Sequence, residues 1–488
     1  MKLEALTPDL KRLKKGSVSQ ISTVTNDDRK VKNNSLFVAI KGTKVDGHSF
    51  LKKSIKEGAK AVVIQDKRYF NEIKKYNVSV FWSSNTRKAL ALIAHRFYKK
   101  PSLDLKLIGT TGTNGKTTVS NFIYQYLELL GKNTGLIGTI GYKYKDTTFN
   151  IGMTTPDSIC LNKILNNIRR KNAEYVSMEV SSHASHQDRI YGLRFEGGIF
   201  TNLTQDHLDY HKNMEDYFSA KRKFFYTVLE KNENALFSIN VDDYYGKKLF
   251  SELEKKAYVV SYGKNAKHFK IKDYEISMDK TQIQIEYRGK IYKVETQLRG
   301  IFNVYNIIAA LSFLTAYKFD IEELIQLTQF LKPVKGRFEI VHSNDFLVIN
   351  DYAHTPDALK NILKSLNSIK KGRIISVFGA GGDRDKSKRP KMGEVAEKFS
   401  DVIILTSDNP RSEDPKEIIK DIKAGIKNSS KIIEIINREE AIKYAIDIAK
   451  KDDIILIAGK GHETYQIIND KTYHFDDSDV ARKYLERK

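Results

Sequence analysis

From Lys332 onward, short runs of branched aliphatic residues alternate with stretches whose apolar positions recur every three or four residues. The runs Phe346 to Asn350, Arg373 to Phe378, Val402 to Thr406, Ile432 to Ile436 and Ile454 to Ala458 read as buried strands. Helical periodicity falls around 357–369, 391–399, 415–427, 438–450 and 478–487. Such regular alternation predicts a doubly wound, mostly parallel sheet.

Upstream the pattern is less even. Ser35 to Ile40 and Ala61 to Ile64 are strand-like, while Phe50 to Glu57 and Arg87 to Tyr98 are helix-like. Leu105, Leu107 and Ile108 end a buried strand, and Phe122, Ile123, Tyr126, Leu127 and Leu130 carry a helix to Gly131. Glu174 to Val180 and Gly198 to Leu203 read as further strands, and Tyr217 to Phe225 as an amphipathic helix. The stretch 240–300 reads as polar and β-rich, with strict alternation in Thr281 to Tyr287, before a helix opens at Gly300. Tyr98-Lys99-Lys100-Pro101-Ser102 looks like a linker, and Lys332-Pro333-Val334-Lys335-Gly336-Arg337 marks a second break. A chain of 488 residues exceeds one ordinary core. Three α/β domains are expected, at 1–98, 99–332 and 333–488.

Chemistry concentrates at predicted strand ends. Gly109-Thr110-Thr111-Gly112-Thr113-Asn114-Gly115-Lys116-Thr117-Thr118 joins a strand to a helix. Glycines there let backbone N–H groups approach phosphate, and the helix start favours an anion. Lys116 would reach the terminal phosphates, and the Thr117 hydroxyl would ligate Mg²⁺. The usual phosphate-loop pattern wants a glycine where Thr110 stands. Glu179 ends a strand, on the side of a parallel sheet where ligands bind. It is either a Mg²⁺-facing carboxylate or a rim carboxylate in a surface ion pair. Asp206-His207-Leu208-Asp209-Tyr210-His211 suits metal or nucleotide contact, or simple loop solvation. Lys221 on its helix would ordinarily be a solvated charge. The loops Asp351 to Pro356, Gly379 to Asp385, Ser407 to Arg411 and Gly459 to Glu463 should line one cleft.

Composition narrows the class. Hydrophobic residues make up 40% and aromatics 10%, as in a folded globular protein. Lys and Arg number 83 against 60 Asp and Glu, a net +23 that favours anionic partners. The charges are spread along the chain, without zinc-finger spacing or an RNA-binding aromatic signature. Cys160 is the sole cysteine, which rules out an intrachain disulfide and fits a reducing cytoplasm. No apolar run suggests a signal peptide or a membrane span.

Taken together, these motifs resemble the Mur ligase family over nearly the whole chain. The resemblance is closest to the branch that adds the third residue of the peptidoglycan stem. The phosphate loop, Met178-Glu179-Val180-Ser181-Ser182-His183, Asn202-Leu203, the 206–211 loop, Asp351-Tyr352-Ala353-His354-Thr355-Pro356 and Asp408-Asn409-Pro410-Arg411 occur in that family's order. It implies a small UDP-sugar-binding domain, a central ATPase-like domain and a Rossmann-like amino-acid-binding domain. It also implies ligation of meso-diaminopimelate to UDP-N-acetylmuramoyl-L-alanyl-D-glutamate, through an acyl phosphate formed from ATP with Mg²⁺.

The residue roles follow the same resemblance. Gly112, Thr113, Asn114, Gly115, Lys116, Thr117 and Thr118 would bind the phosphates, with Asn303, Arg337 and Asp351 around adenosine. Thr117 and Glu179 would lie near Mg²⁺, and Lys221 would carry a carbamate. Asn26, Asp28, Thr43, Lys44 and Val45 would face uridine, and Thr154, Thr155, Ser181, Gln187 and Arg189 the dipeptide. Arg384, Asp408, Asn409, Pro410, Arg411, Gly459 and Glu463 would take the incoming amino acid. His207 or a nearby carboxylate would accept the amine proton. Asp28 replaces a usual serine, and Met153 a frequent asparagine. A cytoplasmic monomer acting on small molecules is expected, without nucleic acid or membrane insertion. Lanthionine or L-lysine as third residue, a folylpolyglutamate synthetase and a non-catalytic nucleotide-binding protein are the alternatives.

Overall fold

The computed structural model describes every residue except Thr43, Lys44, Asp146, Met278, Asp279, Asp470, Arg487 and Lys488. The chain forms two compact units. One comprises Met1–Thr111, Leu127–Gly198 and Ala220–Phe237; the other comprises Gly112–Tyr126, Ile199–Ser219 and Ser238–Lys488.

The first unit opens with β1 (Lys11–Lys14), β2 (Thr23–Thr25), β3 (Ser35–Val38), β4 (Ala59–Ile64) and β5 (Ser79–Trp82). They pair in the order β1-β5-β4-β3-β2. All are parallel but β1, whose basic residues form an antiparallel edge. Alternate residues go to opposite layers, so both faces are apolar. Leu36, Val38, Ala61 and Val63 pack with Leu90 and Ile93 of the helix Thr86–Phe97. Phe37, Ala39, Val62 and Ile64 pack on the other side with Leu51 and Ile73. Asn85 starts that helix by accepting from the N–H groups of Arg87 and Lys88.

The same unit carries β6 (Lys106–Thr111), β7 (Thr134–Gly138), β8 (Gly141–Tyr144), β9 (Thr147–Phe149) and β10 (Tyr175–Glu179). β10 lies parallel between β6 and β7, with Glu179 opposite Thr110. β8 and β9 continue antiparallel from β7.

The chain passes through β11 (Phe195–Phe200) and β12 (Leu236–Asn240) into the second unit. There β13 (Tyr258–Gly263), β14 (Phe269–Ile276), β15 (Thr281–Tyr287) and β16 (Lys290–Thr296) follow. The last three form an antiparallel meander that buries Ile271, Ile283, Ile285 and Val294. One expectation fails here: Tyr244–Leu253, inside the stretch read as β-rich, is a helix. Its tyrosines and phenylalanine favour strands by propensity. The Asp243 cap on Gly246 N and the burial of Leu249, Phe250 and Leu253 override that preference.

The rest of the second unit is the expected wound sheet. β17 (Glu339–His342), β18 (Leu347–Asp351), β19 (Ile374–Phe378), β20 (Val402–Leu405), β21 (Ile432–Glu434) and β22 (Ile454–Ala458) pair in the order β17-β18-β22-β19-β20-β21. All run parallel except the edge strand β17, which the pattern did not reveal. Ile349, Phe378, Leu405 and Leu456 face one helical layer, and Val348, Val377, Ile404 and Ile455 the other. A small hairpin, β23 (Tyr465–Ile468) and β24 (Lys471–His474), was also not foreseen.

Helices Lys388–Phe399 and Pro415–Lys423 pack through Gly393. A Cβ there would lie 2.1 Å from the Ile422 carbonyl oxygen. Gly393→Ala is therefore predicted to destabilise the protein by about 1–3 kcal/mol. Urea unfolding should show a lower midpoint, and an unchanged midpoint contradicts this packing.

Candidate active site

Both units carry expected site residues at the carboxyl ends of parallel strands. In the first unit Glu179 ends β10 and is 1% exposed, so the surface ion-pair reading does not hold. Its Oε1 accepts from Thr139 N at 2.7 Å, and its Oε2 from Thr139 Oγ1 at 3.1 Å. A Cβ on Gly138 would come 2.3 Å from Oε1, so the approach needs glycine. Thr139 Oγ1 lies 3.1 Å from Thr154 Oγ1. Thr155 Oγ1 donates to Glu179 O at 2.8 Å and accepts from Ser181 N at 3.0 Å. Arg189 Nη1 donates to Thr155 O at 2.7 Å, and Nη2 to Gln187 Oε1 at 2.9 Å. Thus Thr154, Thr155, Ser181, Gln187 and Arg189 gather beside Glu179. Gly138 and Thr139 were missed, because nothing marks a threonine after a strand as a carboxylate partner.

Lys221 sits on the helix Met214–Leu229 at 1% exposure, against its reading as an ordinary solvated charge. Asp28 forms an ion pair with Lys53 at 2.6 Å, which absorbs the charge that a serine would not bring. Asn26 and Val45 are exposed. Thr43 and Lys44 lie outside the described residues. Cys160 is half-buried, and burial pushes its thiol pKa up, which disfavours the reactive thiolate.

In the second unit the phosphate loop is held from below. Thr113 N donates to Asn202 O at 2.8 Å, and Asn114 N to Asn202 Oδ1 at 2.9 Å. Thr201 Oγ1 donates to Asn114 O at 2.6 Å. Lys116 Nζ donates to the carbonyls of Gly112 and Thr113 at 3.0 and 2.8 Å. Gly115 has φ +85°, the left-handed region that favours glycine. The helix Lys116–Leu129 then begins, with Thr117 and Thr118 in its first turn.

Beside the loop lies a cavity of about 340 Å³. Gly115, Thr118, Asp242, Tyr262, Phe302, Asn306, Arg337 and Asp351 are among its lining. That size falls within the roughly 300–1,000 Å³ of small-molecule sites. Arg337 donates from Nη2 to Thr117 Oγ1 at 3.3 Å and stacks over Tyr352 at 4.4 Å. Asp351 accepts from Phe338 N at 2.7 Å; burial raises its carboxyl pKa, against the pull of Arg337. Asn303 does not line the cavity: its amide donates to Arg299 O, and Asn306, one turn on, lines it instead. Tyr305 donates to Asp242 at 2.8 Å in the same wall.

Asp206 accepts from His207 N and lies 3.4 Å from His207 Nε2 and 3.8 Å from His354 Nε2. Burial would raise its pKa, but His354, His207 and Lys388 together hold it well below the usual range. His207 has φ +54°, an unusual conformation that the loop fixes.

The last group occupies the ends of β19, β20 and β22. Asn409 donates to Glu463 at 2.8 Å, and Lys460 Nζ lies 3.3 Å from Asn409 Oδ1. Asp408 fits only because residue 459 is glycine: a Cβ there would be 2.5 Å from Asp408 Oδ2. Burial and Asp408 raise the pKa of Glu463. Pro410 leads to Arg411, which has φ +51° and donates to Gly382 O at 2.8 Å. Arg411 and Arg384 both approach Gly381. Two carboxylates and the Arg411 guanidinium thus lie near one set of strand ends, all within electrostatic reach of Tyr465, which suits a ligand with both charges. Lys460 was not singled out beforehand, since a lysine between two glycines resembles a solvated turn residue.

A glycine-rich loop at a helix start beside a cavity of small-molecule size, with charged strand ends on a wound sheet, fits the class of ATP-dependent ligases. Residues 110–314 match the Mur ligase middle domain, residues 336–461 the Mur ligase glutamate ligase domain, and residues 20–98 the Mur ligase catalytic domain. The UDP-N-acetylmuramoyl-L-alanyl-D-glutamate–2,6-diaminopimelate ligase of Aquifex aeolicus is 45% identical, over 96% of this chain and 94% of its own. That of Fusobacterium nucleatum is also 45% identical, over 95% and 93%. A solved structure of a ligase of the same name matches with a TM-score of 0.70 at 30% identity, covering 100% of this chain and 99% of that one. The chain belongs to the Mur ligase family. A MurF ligase from Thermotoga maritima in complex with ADP shares the fold, with a TM-score of 0.62 at 20% identity over 95% and 97% of the chains.

Lys116→Met removes the ammonium that the loop carbonyls of Gly112 and Thr113 hold. ATP-dependent turnover should fall about 100-fold or more, at least ~2.7 kcal/mol in the barrier, with the fold intact by circular dichroism. Turnover near wild type contradicts the phosphate-loop assignment.

Proposed function

We propose that this chain joins meso-diaminopimelate to UDP-N-acetylmuramoyl-L-alanyl-D-glutamate as ATP is cleaved to ADP and phosphate. The carrying observation is that Asp408, Glu463 and Arg411 all act on Tyr465 beside the ends of β20 and β22. Diaminopimelate has an amine and a carboxylate at each end, and a planar guanidinium suits a carboxylate. The names of the relatives support the same substrates. We divide the work among a UDP-sugar-binding segment at 1–98, an ATP-binding segment at 99–332 and an amino-acid-binding segment at 333–488.

Two bond exchanges make the reaction. A carboxylate oxygen of the dipeptide attacks the γ-phosphorus of ATP, and ADP leaves. Lys116 offsets charge on the transferring oxygens. The free amine then attacks the acyl carbon, phosphate leaves, and the amine proton passes to a base. His207, oriented by Asp206, is the candidate base. Thr154, Thr155, Ser181, Gln187 and Arg189 orient the dipeptide, and Asn26, Asp28, Thr43, Lys44 and Val45 its uridine end. Arg337 and Asp351 flank the nucleotide, and Asn303 acts indirectly, through the helix it shares with Asn306.

Thr117, Glu179 and a carbamate on Lys221 are hard oxygen donors of the type Mg²⁺ takes. Among the described residues no group of three or more His, Cys, Asp or Glu side chains is placed to hold a metal. A few protein donors suffice where phosphate oxygens and water complete the shell. When bound, Mg²⁺ would neutralise phosphate charge. Carbamate formation replaces an ammonium of charge +1 by a carboxylate of −1. Burial of Lys221 fits a group that is not an ordinary solvated ammonium. No helix among the described residues is long and apolar enough to cross a membrane. A cytoplasmic monomer is the setting we assign.

Lys221→Ala should lose activity and regain part of it with an added short carboxylate; full activity without addition rules the carbamate out. For the third residue, kcat/KM should favour meso-diaminopimelate over L-lysine by about 10³, since an unpaired Arg411 costs about 2–5 kcal/mol. Lanthionine keeps both charged ends and should differ by only ~1–3 kcal/mol. Equal use of lysine, or an unchanged preference in Arg411→Ala, contradicts the charge-pairing account.

A further inference from the structure

The Arg438 guanidinium lies within electrostatic reach of Asp408 and Glu463, and its hydrogen bonds hold the backbone on which two site loops begin. It heads the helix Arg438–Ile448 and is 1% exposed. Its partner Asp477 heads the helix Asp477–Leu485 and is fully buried. The pair is bidentate: Nε meets Oδ1 and Nη2 meets Oδ2, each at 2.7 Å. The fork has a second set of acceptors. Nη2 donates to Ala458 O at 3.0 Å, and Nη1 to Ser407 O at 3.4 Å.

Those carbonyls have a specific place. Ala458 ends β22 and is followed by Gly459; Ser407 follows β20 and precedes Asp408. One planar group therefore spans the strand ends that launch the Asp408–Arg411 and Gly459–Glu463 loops. Gln466 of β23 adds a hydrogen bond to Asp408 O at 2.7 Å. The register between the loops is tight, because Asp408 Oδ2 occupies the space a Cβ on residue 459 would need.

A buried ion pair is weak evidence of stabilisation, since desolvation offsets its attraction. A lysine could not replace the fork, having one head group where the site uses three nitrogens in a plane. We infer that Arg438, clamped by Asp477, is a positioning residue that sets the spacing between Asp408 and Glu463 and so the affinity for the incoming amino acid. This rests on the proposed diaminopimelate ligation.

The test is steady-state kinetics on the full-length enzyme with all three substrates. Arg438→Met alone would strand the Asp477 carboxylate, so it is paired with Asp477→Leu. Arg438→Lys keeps the charge and serves if the double variant does not fold. In either variant KM for meso-diaminopimelate should rise about tenfold or more, as expected for ångström-scale misplacement. KM for ATP and for the UDP-linked dipeptide should stay within about twofold of wild type. Arg373, which pairs with Asp453 at 2.6 Å at the opposite ends of β19 and β22, supplies the control. Arg373→Lys, which keeps a cation beside the buried Asp453, should leave all three KM values unchanged. An unchanged KM for meso-diaminopimelate overturns the inference. So does an equal rise in all three, or the same selective rise in Arg373→Lys. Failure of the wild-type enzyme to use meso-diaminopimelate would instead overturn the ligation reading.

Discussion

No side-chain atom fits between residue 112 and Thr201. A Cβ on Gly112 would lie 1.8 Å from the Thr201 hydroxyl. That hydroxyl donates to Asn114 O, and Asn202 takes the N–H groups of Thr113 and Asn114. The loop is thus shaped by the residues that follow β11. Preorganised donors need no rearrangement when charge develops, which is where electrostatic catalysis gains most. Lys116 is drawn onto the same loop by two carbonyls. The placement of the Lys116 ammonium on this loop therefore depends on a glycine too small to obstruct a threonine.

The same economy of space recurs at two carboxylates near strand ends. Glu179 is reached across Gly138, and Asp408 across Gly459. Each buried carboxylate needs hydrogen-bond donors, because an uncompensated buried charge is expensive. Thr139 supplies them for Glu179, and Phe338 N for Asp351. Parallel sheets put such ends on one side. Binding groups of both signs can then be held rigidly on strands and helix starts, with the loops between them short.

Much of this was legible in the chain. The strands of the wound sheet are continuous apolar runs because helices cover both faces, and such runs are hard to mistake. The phosphate loop and the four strand-end loops carry local chemistry that a linear reading detects. What stayed hidden depends on residues far apart. The cavity wall combines Asp242, Tyr262, Phe302 and Asn361, none unusual by itself. Asn303 and Asn306 lie one turn apart on an almost wholly buried helix, and only packing decides which faces the cavity. The helix Tyr244–Leu253 hid behind aromatic residues, and Arg438 and Asp477 are 39 positions apart with no local mark.

The acyl phosphate is the centre of the account, and oxygen transfer tests it most directly. The proposed substrate UDP-N-acetylmuramoyl-L-alanyl-D-glutamate would be labelled with ¹⁸O in its D-glutamyl carboxylates and turned over once with ATP and meso-diaminopimelate. If the carboxylate attacks the γ-phosphorus, the released phosphate carries an ¹⁸O atom from the substrate, read by mass spectrometry. Ligated product accompanied by unlabelled phosphate would contradict the mechanism.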